Sequence, residues 1–172
     1  MMRYLHAFLT AAGLTFTLVA PLAFAQAAPT QVFDTPAFSS VPELESGFHD
    51  LYVQKFPEAR ETFEKWVNDH PDEPFGQVAI AASYLFEEFY LQHVLTSDYF
   101  LNDKRFLGGI TGTPDPDRIH GFQSAVAKAR ALAFQRLRKN SRDPEGLYVL
   151  TLAAGMESDA YSMLLKKHYD AL

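Results

Sequence analysis

The chain has 172 residues, of which 48% are apolar and 14% aromatic, with a formal net charge of −6 and no cysteine. This composition excludes a disordered or collagen-like chain and suffices for one domain with a hydrophobic core. The lack of cysteine excludes disulfides, thiolate metal sites and lipid attachment at a cysteine, so an oxidising compartment would do the protein no harm.

Residues 1–27 have the plan of a secretory signal peptide. Arg3 supplies a positive start, an uncharged apolar run covers residues 9–20, Pro21 breaks it, and small residues suited to cleavage follow at 23–27. The apolar run is shorter than the ~20 residues of a membrane span. We therefore expect an exported, periplasmic or secreted protein without a stable membrane span after cleavage; the other interpretation is an uncleaved anchor.

Residues 28–40 contain Pro, Thr and Ser without periodicity, which predicts a flexible lead-in to a helical domain over residues 41–172. Because apolar residues then recur at helical spacing, we expect a first helix from about Pro42 to Val53. A second helix is expected from about Pro57 to Asp69, and Pro71 prevents its continuation.

A third helix is expected from Pro74, and its apolar residues fall on two faces. The first stripe consists of Val78, Ala81, Ala82, Leu85 and Phe89. The second stripe consists of Phe86, Tyr90 and Val94. A helix that is apolar on two sides must be covered on two sides, so we expect this helix to be the centre of the fold.

Residues 96–117 interrupt the helical pattern with three glycines and a Thr-Pro-Asp-Pro-Asp run, which predicts a long loop of functional interest. A fourth helix is expected from Arg118 to Asn140. A fifth is expected from Pro144, and its lining residues are Leu147, Leu150, Ala154, Tyr161, Met163 and Leu164. Since no segment alternates like a strand, the fold class is all-α, with about five helices.

The last residues, 166–172, have the composition of a turn and the start of a further helix, without a polar closing face. The end of a helical array normally needs a polar outer face for solubility. We therefore expect either that the chain is truncated at its C-terminus or that this end self-associates or packs on another molecule.

Residues 43–71 resemble a tetratricopeptide repeat, a unit of two packed helices. The matching positions are Gly47 (small packing residue), Phe56 and Phe63 (two aromatics), Glu58-Ala59 (acid–alanine pair) and Pro71 (terminal proline). The departures are Glu43, Ser46, Asp50 and Trp66. Weaker likeness returns around Tyr84 and from Asp143 to Tyr148. The resemblance implies an α-solenoid of stacked antiparallel helix hairpins that binds a protein or peptide.

The spacing of the reactive residues matches none of the metal-binding, phosphate-binding or catalytic motifs considered below. No two histidines after residue 27 lie four apart, no Glu-x-x-His occurs, and no phosphate loop or nucleophile elbow is present, so we expect no metal, cofactor or catalytic residue. The adjacent Glu87 and Glu88 are interpreted as solvated or ion-paired, because neighbours on a helix diverge by about 100°.

Charge is unevenly placed. Residues 41–73 carry nine acids and three bases, whereas residues 118–142 carry seven bases and no acid. We interpret the two segments as packed side by side. Nucleic-acid binding is not expected, because the basic segment lacks aromatic residues placed for base stacking.

Four residues are candidate partner-binding groups: Tyr84 and Tyr90 as aromatic anchors, and Arg130 and Arg136 from the basic helix. The plainer interpretation of the two tyrosines is core packing. The preferred function is an exported scaffold for protein–protein or protein–peptide interaction without intrinsic catalysis. The alternative is a small-molecule binding protein or hydrolase with its site under the 96–117 loop.

Overall fold

A computed structural model describes residues 42–165, which form seven α-helices and a π-helical segment and contain no strand. The helices are α1 (Pro42–Tyr52), α2 (Phe56–Asp69), α3 (Pro74–Leu91), α4 (Ser97–Leu101), α5 (Asp103–Gly108), α6 (Pro116–Lys139) and α7 (Pro144–Asp159). The π-helical segment Ala160–Leu164 continues α7 directly. The all-α prediction is confirmed for these residues, while the predicted signal peptide, the lead-in and residues 166–172 lie outside them.

The long helices begin where the sequence predicts, because their start signals are local. α3, α6 and α7 each begin at a proline, whose fixed φ and missing N–H suit a first helical turn. The side chains of Asp115 and Asp143 accept hydrogen bonds from the first N–H groups of α6 and α7. Local chemistry therefore determines these boundaries to within two residues.

The segment predicted as a loop instead contains the two short helices α4 and α5. Thr96 Oγ1 accepts a hydrogen bond from the Tyr99 N–H, and Asn102 Oδ1 accepts from the N–H groups of Lys104 and Arg105. Tyr99 is buried against the rest of the domain. The glycines and prolines obscure these single-turn helices, whose main sequence signal is the two cap residues.

The core is organised around α3. Consecutive long helices pack in the order α1–α2, α2–α3, α3–α6 and α6–α7, and α3 also contacts α1 and α7. All five residues of its first apolar stripe are buried, which confirms the central position expected for this helix. Three of these helix pairs are joined by connections of three or four residues, which favour antiparallel neighbours.

Close packing of α1 on α2 depends on Gly47. A Cβ added at this position would lie 2.3 Å from Cε1 of Phe63, whose ring is fully buried. No side chain fits there unless the core moves. This is the close approach expected of a small residue at position 47.

The prediction of which residues of α7 face the core is partly wrong. Leu147 and Ala154 are exposed, whereas Val149 and Ala153 are fully buried and Leu150 packs only at the margin of the core. Leu164 is buried and Met163 packs against the core, as expected. The sequence of this helix is apolar on nearly all sides, so its periodicity does not single out one face.

Candidate protein-interaction site

The second apolar face of α3 is not covered as expected. Val94 is buried, but 36% of Phe86 and 44% of Tyr90 remain exposed. A central helix that leaves large apolar side chains in solvent departs from the rule that such stripes are buried. Contiguous exposed apolar surface of this kind marks interaction sites.

Phe86 forms one side of an apolar groove of about 360 Å³. The groove lies between the C-terminal half of α1, the start of α2 and the far half of α3, and its lining residues are Phe48, Leu51, Tyr52, Gln54, Phe56, Phe86 and Leu95. Phe56 is buried and forms part of the groove's lining, while Tyr52 is 88% exposed at the rim. Six of the seven residues are apolar or aromatic.

Tyr90 lies beside this groove, next to one of its lining residues. Its ring centroid is 5.7 Å from that of Phe56, with the ring planes tilted by 48°. One edge of Tyr90 is therefore packed on the protein, and the remainder of the ring faces solvent. Among the four predicted partner-binding residues, Tyr90 has the surroundings that fit the prediction best.

Tyr84 has a different environment. The guanidinium carbon of Arg60, on α2, lies 3.7 Å from the centroid of the Tyr84 ring in a cation–π contact. On the α6 side the ring lies against Gly121, where an added Cβ would come within 2.6 Å of Tyr84 Cζ. Tyr84 thus connects α2 to α6 across α3.

Arg130 and Arg136 are both engaged in ion pairs within the chain. Arg130 Nη1 donates to Glu157 Oε2 on α7, and 43% of the arginine side chain remains exposed. The two arginines therefore tie α6 to α7 and, in the case of Arg136, to the start of α3. They lie apart from the apolar groove, and the structure does not bring the four predicted residues into one site.

Arg136 is surrounded by three carboxylates. It donates hydrogen bonds from Nε to Asp143 Oδ2 at 3.0 Å and from Nη1 to Glu73 Oε2 at 3.2 Å. Its Nη2 forms an ion pair with Glu145 Oε2 at 2.7 Å. The hydrogen bond to Asp143 raises the pKa of Arg136 and lowers the pKa of Asp143. Burial, followed by repulsion from Glu73, raises the pKa of Glu145 to about 7.

Glu88 is fully buried, and its burial was not expected from the sequence. Its Oε2 accepts a hydrogen bond from Arg118 Nε at 2.7 Å, and its Oε1 accepts from Gln92 Nε2 at 2.8 Å and from the Asp115 N–H at 3.3 Å. The adjacent Glu87 pairs with Arg60. Both glutamates are therefore ion-paired, and Glu88 fastens α3 to the start of α6.

A cavity of about 290 Å³ lies against the 96–117 segment, and Tyr99, Gly108, Gly109 and Ile110 bound it. Several of its polar groups already have partners: Gln92 donates to Glu88, and Arg105 pairs with Asp98. Its lining contains no serine and no carboxylate among residues 42–165. The cavity offers room for a small molecule, and its lining includes His93, Lys104 and Thr111.

No group of three or more His, Asp or Glu side chains within the described residues is arranged to hold a metal ion. In the same part of the chain, no helix has both the length and the apolar character needed to cross a membrane.

Comparison of the chain with protein-family models, curated protein sequences and solved structures gave no match.

Proposed function

We propose that this protein is an exported helical-repeat scaffold that binds a segment of another protein through its apolar groove, without catalysis of its own. The architecture we propose is a tetratricopeptide-like array of stacked helix hairpins. Two findings support it: each long helix packs on the next, and α3 also contacts the first helices of the flanking hairpins, α1 and α7. Repeat arrays are built from such nearest-neighbour contacts.

The observation that carries the proposal is the groove beside Phe86. A monomeric protein gains stability by burying large apolar side chains, at roughly 25 cal/mol per Å². Here Phe86, Tyr90 and Leu95 are left at least a third exposed around one groove. A partner that covers these side chains gains the free energy of burying apolar surface that the folded chain leaves exposed. Aromatic anchors of this kind contribute most of the binding energy at protein interfaces.

The composition of the groove favours an amphipathic helix as the partner. Gln54 is the single polar residue among the seven that line it. An extended peptide would place backbone N–H and C=O groups against apolar walls, where they would lack partners. A helix satisfies its own backbone and offers apolar side chains every three or four residues.

Photocrosslinking from the groove rim tests the proposal. A benzoylphenylalanine at position 52 should form one discrete adduct with a partner protein in cells, because the side chain there is 88% exposed and borders the groove. The matched control carries the same crosslinker at position 101, where Leu101 is 83% exposed on α4, outside the groove.

Adding Phe86→Glu should remove the position 52 adduct, since a carboxylate on the groove wall opposes apolar docking. Helical content measured by circular dichroism should stay unchanged, because Phe86 is already partly exposed. Equal adducts from positions 52 and 101, or an adduct that survives Phe86→Glu, would refute the groove as the docking site.

Export is proposed from the sequence of residues 1–27. Cell fractionation should recover the protein outside the cytoplasm, and the intact mass should lack about 25 to 27 N-terminal residues. Recovery of the full-length chain from the cytoplasm would contradict this part of the proposal.

The second candidate function, a small-molecule binder, has one observation in its favour, the 290 Å³ cavity against α4 and α5. It ranks below the scaffold because several of the polar groups around that cavity are already used within the chain. A small molecule that protects the exposed Lys104, at the cavity's edge, from amine labelling would favour it.

A further inference from the structure

A second groove, of about 380 Å³, lies over α3 between α2 and α6, and it differs in chemistry from the apolar groove. Its polar lining residues include Glu64, Asn68, Gln77, His120, Ser124 and Lys128. Val67, Ile80 and Ala125 supply an apolar floor, and Tyr84 stands beside Gly121. The groove therefore has an apolar floor and six polar side chains in its lining.

None of these six polar side chains has a hydrogen bond or ion pair within residues 42–165. Elsewhere on the same helices the charged residues are used: Arg60 pairs with Glu87, Arg118 with Glu88, and Arg130 with Glu157. Polar groups that a fold does not use, gathered along one groove, are free to contact a ligand.

Gln77 is the most informative of the six. It is only 9% exposed, yet its amide faces the groove and has no partner in the described part of the chain. Among residues 42–165 the buried side-chain polar atom without a partner is Trp66 Nε1, so the unpaired amide atoms of Gln77 still reach the open groove, where a ligand can bond to them.

The helical spacing turns these residues into rows. His120, Ser124 and Lys128 are four apart along α6, so they form one edge about 12 Å long. Glu64 and Asn68, also four apart, form a shorter edge of about 6 Å on α2. An extended chain rises about 3.3 Å per residue, so the longer edge matches a peptide of about three residues.

The charges and amides of the groove suit the same ligand. Lys128 and Glu64 place one positive and one negative group on opposite walls, which fits a molecule with a free carboxylate and a free ammonium. Each amide, Asn68 and Gln77, offers both a donor and an acceptor, and so does a peptide group. Because the groove contains one lysine and one glutamate, whose charges cancel, it does not favour a polyanion such as a phosphate ester.

We propose that the groove between α2 and α6 binds a short peptide of about three residues, with both ends free and its backbone lying along α3. This site is additional to the apolar groove, which lies between α1, α2 and the far half of α3. The two proposals are therefore independent of each other.

The probe is trialanine, titrated by calorimetry or by amide chemical shifts, and we expect a dissociation constant of roughly 1 mM or tighter. N-acetyl-trialanine amide, which lacks both charges, should bind at least tenfold more weakly. Orthophosphate and glucose test the anion and sugar alternatives and should produce no saturable response. Saturable binding of either one with no response to trialanine would overturn the proposal.

Gln77→Leu should weaken trialanine binding at least tenfold while leaving the melting temperature unchanged or higher, because the amide has no partner within the chain. The control is Gln123→Leu, at an exposed glutamine on α6 that does not line the groove. It should leave affinity within twofold. Equal affinities for the two variants would contradict a role for Gln77, and no binding to the unmodified protein would dismiss the site.

The same experiments separate this site from the apolar groove. Phe86→Glu should bind trialanine normally, and Gln77→Leu should keep the adduct formed from position 52. A variant that abolishes both readouts while circular dichroism stays normal would show that the two grooves are one functional unit, against the proposal.

Discussion

The two ends of α3 are fastened to the rest of the fold in opposite ways. Near its C-terminal end a single buried carboxylate, Glu88, is surrounded by donors from Arg118, Gln92 and the Asp115 backbone. At its N-terminal end a single guanidinium, that of Arg136, is shared by three carboxylates. In the first arrangement the guanidinium of Arg118 faces two carboxylates, because Asp115 lies 3.5 Å from it. In the second arrangement one guanidinium faces three carboxylates, so the excess of negative charge is larger.

This difference shows that burial and charge balance determine how much an ion pair contributes to stability and how that contribution depends on pH. Glu88 is inaccessible to water and each of its oxygens has a partner, so removing it leaves donors unsatisfied. The excess charge around Arg136 is partly relieved when Glu145 takes up a proton near neutral pH. We therefore expect the stability contributed at the Glu88 end of α3 to be insensitive to pH near neutrality. We expect the stability contributed at the Arg136 end to change with pH.

The largest expected effect is that of Glu88→Ala. Removing one member of a buried pair costs about 3 to 5 kcal/mol, because the other is left without compensation. Arg118 is 27% exposed and keeps Asp115 at 3.5 Å, so we expect the lower part of that range. Urea unfolding followed by circular dichroism measures the loss.

The neighbouring Glu87→Ala is the matched control for that experiment. Glu87 pairs with Arg60 near the surface, with 17% of its side chain exposed, and Arg60 keeps Ser83 and the Tyr84 ring as partners. Its loss should cost about 1 kcal/mol. Equal costs at the two positions would show that burial does not distinguish them.

The second prediction concerns pH. The pKa of Glu145 is about 7 in the folded protein against 4.5 ordinarily, so the folded state binds more protons between these values. Its contribution to stability is therefore fully present below about pH 4.5 and is lost as pH rises through 7. The loss amounts to at most roughly 3 kcal/mol, at 1.36 kcal/mol per pKa unit.

Glu145→Gln should remove this pH dependence. The variant keeps the shape of the side chain but cannot ionise, so its free energy of unfolding should stay level from about pH 5 to about pH 8 while that of the unmodified protein falls. At still lower pH both proteins should weaken, since the lowered pKa of Asp143 means that its stabilising charge is lost on acidification. Parallel curves above pH 5 would contradict the assignment.

The smallest expected effect is that of Asp98→Ala. Asp98 pairs with Arg105 between α4 and α5, but 64% and 44% of the two side chains are exposed. Exposed pairs contribute about 0 to 1 kcal/mol, so the unfolding midpoint should barely move and should do so less in high salt. A loss as large as that of Glu88→Ala would show that α4 and α5 are more important to the fold than their exposure implies.

The sequence predicts the long helices well, because their prolines, caps and stripes are local signals. It does not distinguish Glu88 from Glu87, since burial of the first depends on Asp115 and Arg118, which lie 27 and 30 residues further along. The short helices α4 and α5 escape prediction because each is barely a turn long and is flanked by turn residues.

The candidate sites were predictable only in part. The second stripe on α3 signalled more apolar surface than one helix needs for its own packing, and that surplus is the apolar groove at Phe86 and Tyr90. The polar groove has no such signal, because it takes residues from three helices separated by many positions. Gln77, within a largely apolar helix, was the single local clue.

The stack of Arg60, the Tyr84 ring and Gly121 affects how the width of the polar groove between α2 and α6 can change in evolution. The ring acts as a spacer whose size sets how far apart the flanking helices stand, and the bare backbone at 121 leaves no slack on that side. Tyr84 is itself one of the residues that line the polar groove, so a change of residue at position 84 would alter the width of that groove while leaving its other lining groups in place. Substitutions at this one position could therefore change which ligand sizes the groove accepts during evolution. The other polar groups that contact the ligand would stay the same.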